Sequence, residues 1–373
     1  MKDPRVEKLA HLLVDYSLKL KPRDLVTING DAIAAPLIRA CYRAALRRGA
    51  FVVSDITLGG MAEIFYAEAN KEQLGWLSPL ALYKARKIDA SIGIWAGVNT
   101  KCLSNVDPKR LALASSARKP ILKLLMDRTA AKTFRWVGTQ WPCQANAQDA
   151  EMSLEEYEEF VFGAGHLDDP DPIQTWRRIS KRQQALTDFL NRRHQIHIVA
   201  EGTDLTFSVK NRTWINCDGQ LNFPDGEVFT GPVEQTVEGR VKFSFPAVHN
   251  GRETTGVRLT FERGKVAKAE ADKGRDFLRA MIAMDRGSCY LGEAAFGTNY
   301  NVKRYTRNTL FDEKIGGTIH LALGAGYPET GNKNQSGLHW DMVCDLRNGG
   351  EIYADGELIQ KNGRFLDKRF PQS

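Results

Sequence analysis

Cysteine is sparse in this sequence and never paired. The six residues Cys41, Cys102, Cys143, Cys217, Cys289 and Cys344 stand singly, with no CxxC among them. That spacing argues against a thiolate zinc knot and a disulfide framework, and leaves most of the thiols to the interior. No apolar run approaches the length that spans a bilayer, so no membrane partner is expected. Low-complexity tracts and fixed-period repeats are absent too. The opening MKDPRVEKLAHLLVDYS is charged and then amphipathic, without the apolar centre of a secretory signal, and the cytoplasm is the expected location. The net charge of +7 comes from 52 basic against 45 acidic residues. These charges are interleaved, RRISKRQQ being the densest basic run, and no nucleic-acid motif accompanies them. Nucleic acid is therefore not expected as a partner. The segment GDAIA, residues 30–34, follows a strand pattern but lacks the glycine spacing of a dinucleotide or phosphate loop.

What is present is an ordinary globular composition, 42% apolar and 26% charged, over 373 residues. That length exceeds one core, and two domains are expected. In the first half, helical periodicity alternates with short apolar runs. VEKLAHLLVDYSLKL and APLIRACYRAALRRG read as helices; DLVTING, AFVVSDI, IDASIGIWAG and FRWVGTQWP read as strands. Asp107 followed by Pro108 opens a helix reaching to about residue 130. Ser153 and Glu156 form a capping-box pattern, and another helix covers residues 172–192. This alternation predicts an α/β domain with a mostly parallel sheet over residues 1–193. After His194 the texture becomes alternating apolar and polar, β-branched and aromatic, with one helix near residues 273–286. Residues 194–373 are predicted to form an α+β domain rich in antiparallel strands.

The second half also gathers the chemically interesting side chains. NFPDGEVFTGPVE carries Glu227, YLGEAAFGTN carries Glu293, and DEKIGGTIHLALGAGYP carries Glu313, His320 and Tyr327. In SGLHWDMVCD, His339 and Asp341 are two residues apart, which on a strand places both on one face and Leu338, Trp340 and Met342 on the other. Such a pair serves as an ion pair, a general-base couple or two metal ligands. Each candidate sits near glycine, where backbone approaches a site closely. Oxygen and nitrogen donors without sulfur suit zinc, cobalt, manganese or iron. Several carboxylates at one place repel unless cations neutralise them. Taken singly, each is more readily a hydrogen-bonded or surface residue than a ligand. The remaining histidines, His11, His166, His194, His197 and His249, lack partner spacing, His166 lying in an acidic loop.

The four blocks NFPDGEVFTGP, LGEAAFGTN, DEKIGGTIHLALGAGYP and SGLHWDMV resemble, in the same order, the motifs of the aminopeptidase T family of metallopeptidases. The resemblance runs the length of the chain. It implies an N-terminal α/β domain, a C-terminal β-rich catalytic domain and a homodimer. It also implies a two-metal centre with Glu227, Glu293, His320, His339 and Asp341 as ligands and Tyr327 at or beside the metals. The divalent ions would be zinc, cobalt, manganese or magnesium. The interval from His320 to His339 is shorter than in some relatives, so the loop GYPETGNKNQSG is trimmed.

On this resemblance the expected activity is removal of N-terminal residues from peptides, or hydrolysis of another small amide, by a metal-activated water. Glu293 and Glu313 are candidates for moving the proton, and Tyr327 for metal coordination or for hydrogen bonding the oxyanion. Two other readings stand beside it. A ring-cleaving dioxygenase would need one iron and only His320, His339 and Asp341; Glu227 and Glu293 discriminate against it. A non-catalytic module with a structural metal would show closed coordination.

Overall fold

A computed structural model describes residues 3–372. Met1, Lys2 and Ser373, which the sequence reading included at the two ends of its domains, lie outside the described residues. The chain divides into two compact units, one running to Ile173 and including Gln220–Phe223, the other made of Gln174–Gly219 and everything from Pro224 onward.

The first unit is α/β, as its alternating texture predicts. Its sheet is parallel throughout, in the order Phe51–Thr57, Leu25–Asp31, Ala90–Trp95, Arg135–Gln140 and Asn222–Phe223. Helix starts follow local chemistry. Asp3 caps Pro4–His11 by accepting from the Arg5 amide at 2.8 Å. Asp107 caps Pro108–Ala130 with Pro108 in the first turn, and Ser153 with Glu156 completes a reciprocal capping box on Leu154–Ala164. Each cap satisfies amides that the helix leaves without partners. The opening helix departs from the sequence expectation in one respect: after His11 it widens into a π-helical stretch, Leu12–Ser17. In that stretch Leu12, Leu13, Val14, Tyr16 and Ser17 are buried, and Asp15 between them is the position turned partly outward.

The second unit is dominated by antiparallel sheets. One has eight strands, ordered Lys265–Glu270, Arg258–Glu262, Glu238–Lys242, Thr203–Ser208, Gln195–Ala200, Glu351–Ala354, Glu357–Lys361 and Arg364–Phe365. Another has five, ordered His339–Asp345, Thr318–Gly324, Leu291–Gly297, Glu227–Thr230 and Ile215–Cys217. A shared core of large side chains includes Phe207, Trp214, Phe296, Leu321 and Trp340. The helix Pro172–Leu190 belongs almost entirely to this unit, because Leu186 and Leu190 are buried in the same core as Ile196 and Ile198. The dividing point therefore falls in the first turn of that helix, between Ile173 and Gln174, whereas the change of sequence texture follows it.

Trp214, 2% exposed, packs its ring 5.0 Å from that of Phe296. Trp214→Ala should destabilise the second unit by about 3–5 kcal/mol, the usual cost of emptying so large a buried position. Urea denaturation followed by far-ultraviolet circular dichroism measures it.

Candidate metal centre

The five-stranded sheet puts its chemistry on one face by register alone. Glu227 lies opposite Gly297, His320 opposite Ala295, Glu293 opposite Ala322, Asp341 opposite Ala322 and His339 opposite Gly324. Side chains directly paired across a sheet share a face. Glu227, Glu293, His320, His339 and Asp341 therefore all project from one side, among alanine and glycine neighbours that leave space above the backbone. The other side carries Val228, Phe296, Ile319, Leu321, Trp340 and Met342 into the core. The alternation expected for SGLHWDMVCD is what the strand shows, with Trp340 and Met342 buried and His339 and Asp341 less so.

Glu293 reaches this face through an irregularity. Leu291 pairs with Leu323 on the core side, and the register shifts before Glu293 pairs with Ala322. In an unbroken strand Leu291 and Glu293 would point the same way; the bulge turns Glu293 over. Gly292 makes it possible, since a Cβ there would lie 2.1 Å from the Ala325 carbonyl oxygen.

Glu293 stands between the two imidazoles. Its Oε1 is 3.4 Å from His320 Nε2 and its Oε2 is 3.4 Å from His339 Nε2. Glu227 Oε2 is 3.6 Å from His320 Nε2, and Asp341 Oδ1 is 3.4 Å from His339 Nε2. Two donor triads result, Glu227–Glu293–His320 and Glu293–His339–Asp341, each with its donor atoms within 4.8 Å of one another. A third such group joins Glu313, His320 and Asp341. Both imidazoles are oriented by main-chain carbonyls: His339 Nδ1 lies 2.8 Å from the Ala325 oxygen and His320 Nδ1 3.3 Å from that of Glu313. A carbonyl only accepts, so each Nδ1 carries the hydrogen and each Nε2 is turned to the centre, the usual second-sphere arrangement of ligating histidines.

The electrostatics fit a site for cations. Glu227 Oε2 and Asp341 Oδ1 are buried without a hydrogen-bond partner, an arrangement that is costly unless a positive group is close. Burial opposes protonation of His320, but the Glu293 hydrogen bond and the charges of Glu227 and Glu313 push its pKa up to about 10. His339 is likewise disfavoured by burial yet driven to about 11 by Asp341 and Glu293. Asp341 is depressed: burial raises it, and the two imidazoles outweigh burial. Glu313 goes the other way, because burial and the Asp341 charge hold its carboxyl well above the usual range. Protons on the imidazoles thus do what metal cations would do.

The other candidates are also nearby. Glu313 ends the short helix Thr309–Asp312. The Tyr327 ring meets Phe229 and His339 edge-on, with centroids 5.3 and 5.4 Å away. The loop after Tyr327 is pinned by Asn334, whose Nδ2 donates to the Gly324 and Gly287 carbonyls at 2.6 and 2.9 Å. Of the remaining histidines, His11 pairs with Asp15 and His197 with Asp204, while the His249 ring packs tilted against Trp340 with centroids 5.4 Å apart. His166 lies 3.8 Å from Asp169. Sequence reasoning passed over Lys314 and Asp225. The signal was in the text, since DEK places a cation directly after Glu313 and PDG places an acid two residues before Glu227. The six cysteines are free; Cys41, Cys143 and Cys344 are buried and Cys102, Cys217 and Cys289 are partly exposed.

The chain is similar to known proteins over nearly its whole length. Aminopeptidase AmpS of Bacillus subtilis is 27% identical over 411 residues, which cover 97% of this chain and 98% of that protein. Aminopeptidase T of Thermus thermophilus is 28% identical over 403 residues, with 97% and 98% covered. The solved structure of wild-type AmpT from Thermus thermophilus matches with a TM-score of 0.85 at 24% identity, over 98% of this chain and 99% of that one. A 2,5-dihydroxypyridine dioxygenase from Pseudomonas putida matches in fold, with a TM-score of 0.61 at 13% identity over 98% of each chain. Residues 2–365 match the family described as thermophilic metalloprotease (M29). The chain belongs to that metalloprotease family.

Proposed function

We propose that this metalloprotease is an aminopeptidase whose centre holds two divalent ions. Glu227, Glu293 and His320 would hold one ion, and Glu293, His339 and Asp341 the other. The observation that carries the reading is the pair of donor triads sharing Glu293, together with the partnerless oxygens of Glu227 and Asp341. Zinc, cobalt, manganese and magnesium all suit such oxygen and nitrogen donors. When bound, such ions acidify water and polarise a carbonyl. The protein does the rest. His320 and His339 stay fixed through their Nδ1 hydrogen bonds, so no reorganisation is needed as charge develops. Glu313 holds a proton more tightly than an ordinary carboxyl and lies beside His320 and Asp341, which suits it to move a proton between water and the leaving amine. Tyr327, whose ring meets that of His339, is assigned either coordination of an ion or donation of its hydroxyl hydrogen to the oxyanion. Exposure gives the direction of entry: the His339 side chain is 30% exposed against 1% for His320. Substrate approaches past His339 and Tyr327.

The relatives named above are aminopeptidases, and that supports exopeptidase rather than endopeptidase action; a small non-peptide amide remains within the same chemistry. The dioxygenase reading is not favoured. A single iron on His320, His339 and Asp341 would leave Glu293, and the Glu227 oxygen that Lys314 does not hold, buried without a metal ion beside them. The fold likeness to the Pseudomonas protein adds nothing about chemistry.

The proposal extends to a homodimer in the cytoplasm. The strand Phe51–Thr57 is the edge of the parallel sheet and exposes Phe51, Val53 and Ile56, with Leu58, Met61 and Ile64 exposed just beyond it. An open apolar edge is one that proteins normally cover, and a second copy of the chain is the proposed cover. Among the described residues, no helix is long and apolar enough to cross a membrane.

Several measurements test these readings. Protein purified without chelators should carry two divalent ions per chain by mass spectrometry and hydrolyse aminoacyl anilides. Glu227→Gln and His339→Ala should each lower the ion count and reduce hydrolysis by more than about 100-fold; full activity in either removes that ligand. Ion affinity should rise with pH. Both imidazoles are protonated in the ion-free centre below about 10 and 11 and must lose those protons to bind. The apparent binding constant should therefore increase by up to about 100-fold per pH unit near neutrality, read by calorimetry in buffers of different ionisation enthalpy. Finally, Val53→Lys should shift the protein from dimer to monomer in sedimentation velocity without loss of ions; an unchanged dimer rejects this face.

A further inference from the structure

One charged group in the centre belongs to neither triad. Lys314 is buried, its side chain 3% exposed, and its Nζ lies 2.5 Å from Glu227 Oε1, 3.2 Å from Glu313 Oε2 and 3.7 Å from Asp225 Oδ1. Asp225 and Glu227 also form a cation-type group with Cys217, the donor atoms within 4.8 Å of one another. A further constellation of ligand atoms, the fourth in this centre, thus abuts the two triads, and a tethered ammonium lies against it. We propose that Lys314 is a built-in cation occupying the metal-type site of Cys217, Asp225 and Glu227, so that this site takes no exchangeable ion and the centre holds two ions rather than three. The inference rests on the two-ion reading above.

Three observations carry it. The first is that the site is built independently of the lysine. Asp225 is held by the amides of Gly219 and Gly226 at 3.2 and 3.0 Å. Cys217 is the register partner of Glu227 across the sheet edge, so the thiol is delivered there by backbone pairing. Second, the ammonium lies against three carboxylates at once, those of Asp225, Glu227 and Glu313, in the position a bridging cation would take. Third, Glu227 is divided between two duties: Oε1 is committed to the ammonium and Oε2 has no hydrogen-bond partner and faces His320. The lysine therefore makes Glu227 a one-oxygen donor to the neighbouring triad. An ammonium is a compact point charge with three donors and, unlike a bound metal, is not lost to a chelator. Lys314 acts through Glu227 and is a positioning residue.

The test is ion count and spectrum, independent of turnover. The full-length protein and its variants are loaded with Co(II), freed of excess and measured by mass spectrometry and near-ultraviolet absorption. Wild type should hold two ions and show no thiolate-to-cobalt charge-transfer band. Lys314→Ala should hold one more and gain the band, as Cys217 loses its thiol proton to the buffer and its sulfur binds the new ion. Lys314→Ala combined with Cys217→Ser should lose the band. Lys314→Met, which fills the space without charge, should keep the wild-type count and no band. An unchanged count and spectrum in Lys314→Ala, or a gained ion in Lys314→Met, overturns the proposal. If Lys314→Ala is unfolded when ion-free, recovery of its thermal transition with added Co(II) supports the proposal and failure to recover overturns it. A wild type that binds no ions fails the two-ion reading instead, so the two failures are distinct.

Discussion

Carboxylates crowded onto one buried face are the constraint around which this second unit is organised. Two like charges about 4 Å apart repel by about 4 kcal/mol at an effective dielectric near 20, and Glu227, Glu293 and Asp341 are joined here by Glu313 and Asp225. No folded chain holds such a group without positive charge among it. The sheet supplies part of that charge through Lys314 and the raised imidazoles of His320 and His339. The protonated imidazoles are the replaceable part, since each Nε2 is already aimed inward and only its proton must leave.

The geometry is held from behind as much as from within. Strands carrying the donors pack their opposite faces into a core of Phe296, Leu321, Trp340 and neighbours, so a donor moves only if large buried side chains move with it. Gln183, fully buried on the helix Pro172–Leu190, donates to the carbonyls of Cys217 and Glu227 at 2.8 and 3.0 Å and accepts from Thr298 at 3.1 Å. It ties the strand ends that carry Glu227 and the return of the Leu291–Gly297 strand to one helix. This is why the helix belongs with the β-rich unit although the sequence before residue 194 reads as α/β.

The small residues opposite the donors matter equally. Ala295, Ala322, Gly297 and Gly324 face the centre, and larger side chains there would occupy the space that ions and substrate need. Glycine at 292 has a different purpose, allowing the bulge that turns Glu293 out of the core.

Several elements were readable directly. Caps at Asp107 and Ser153, the parallel strand pattern, and the HxD alternation at residues 339–341 depend on neighbours a few positions away, and local chemistry decides them. Ordered motif blocks likewise pointed to the metalloprotease family. The π-widened stretch at Leu12–Ser17, the Gly292 bulge and the seat of Lys314 were not legible, because each answers to a partner far along the chain. A lysine beside a glutamate reads as a solvated pair until the sheet brings Asp225 and Glu227 to it. Sequence by itself determined the types and order of the donor residues, since side-chain chemistry and strand periodicity are local. Only the tertiary structure decided which of them converge and where the fixed cation lies, because register across five strands is a property of the folded sheet and of no segment alone.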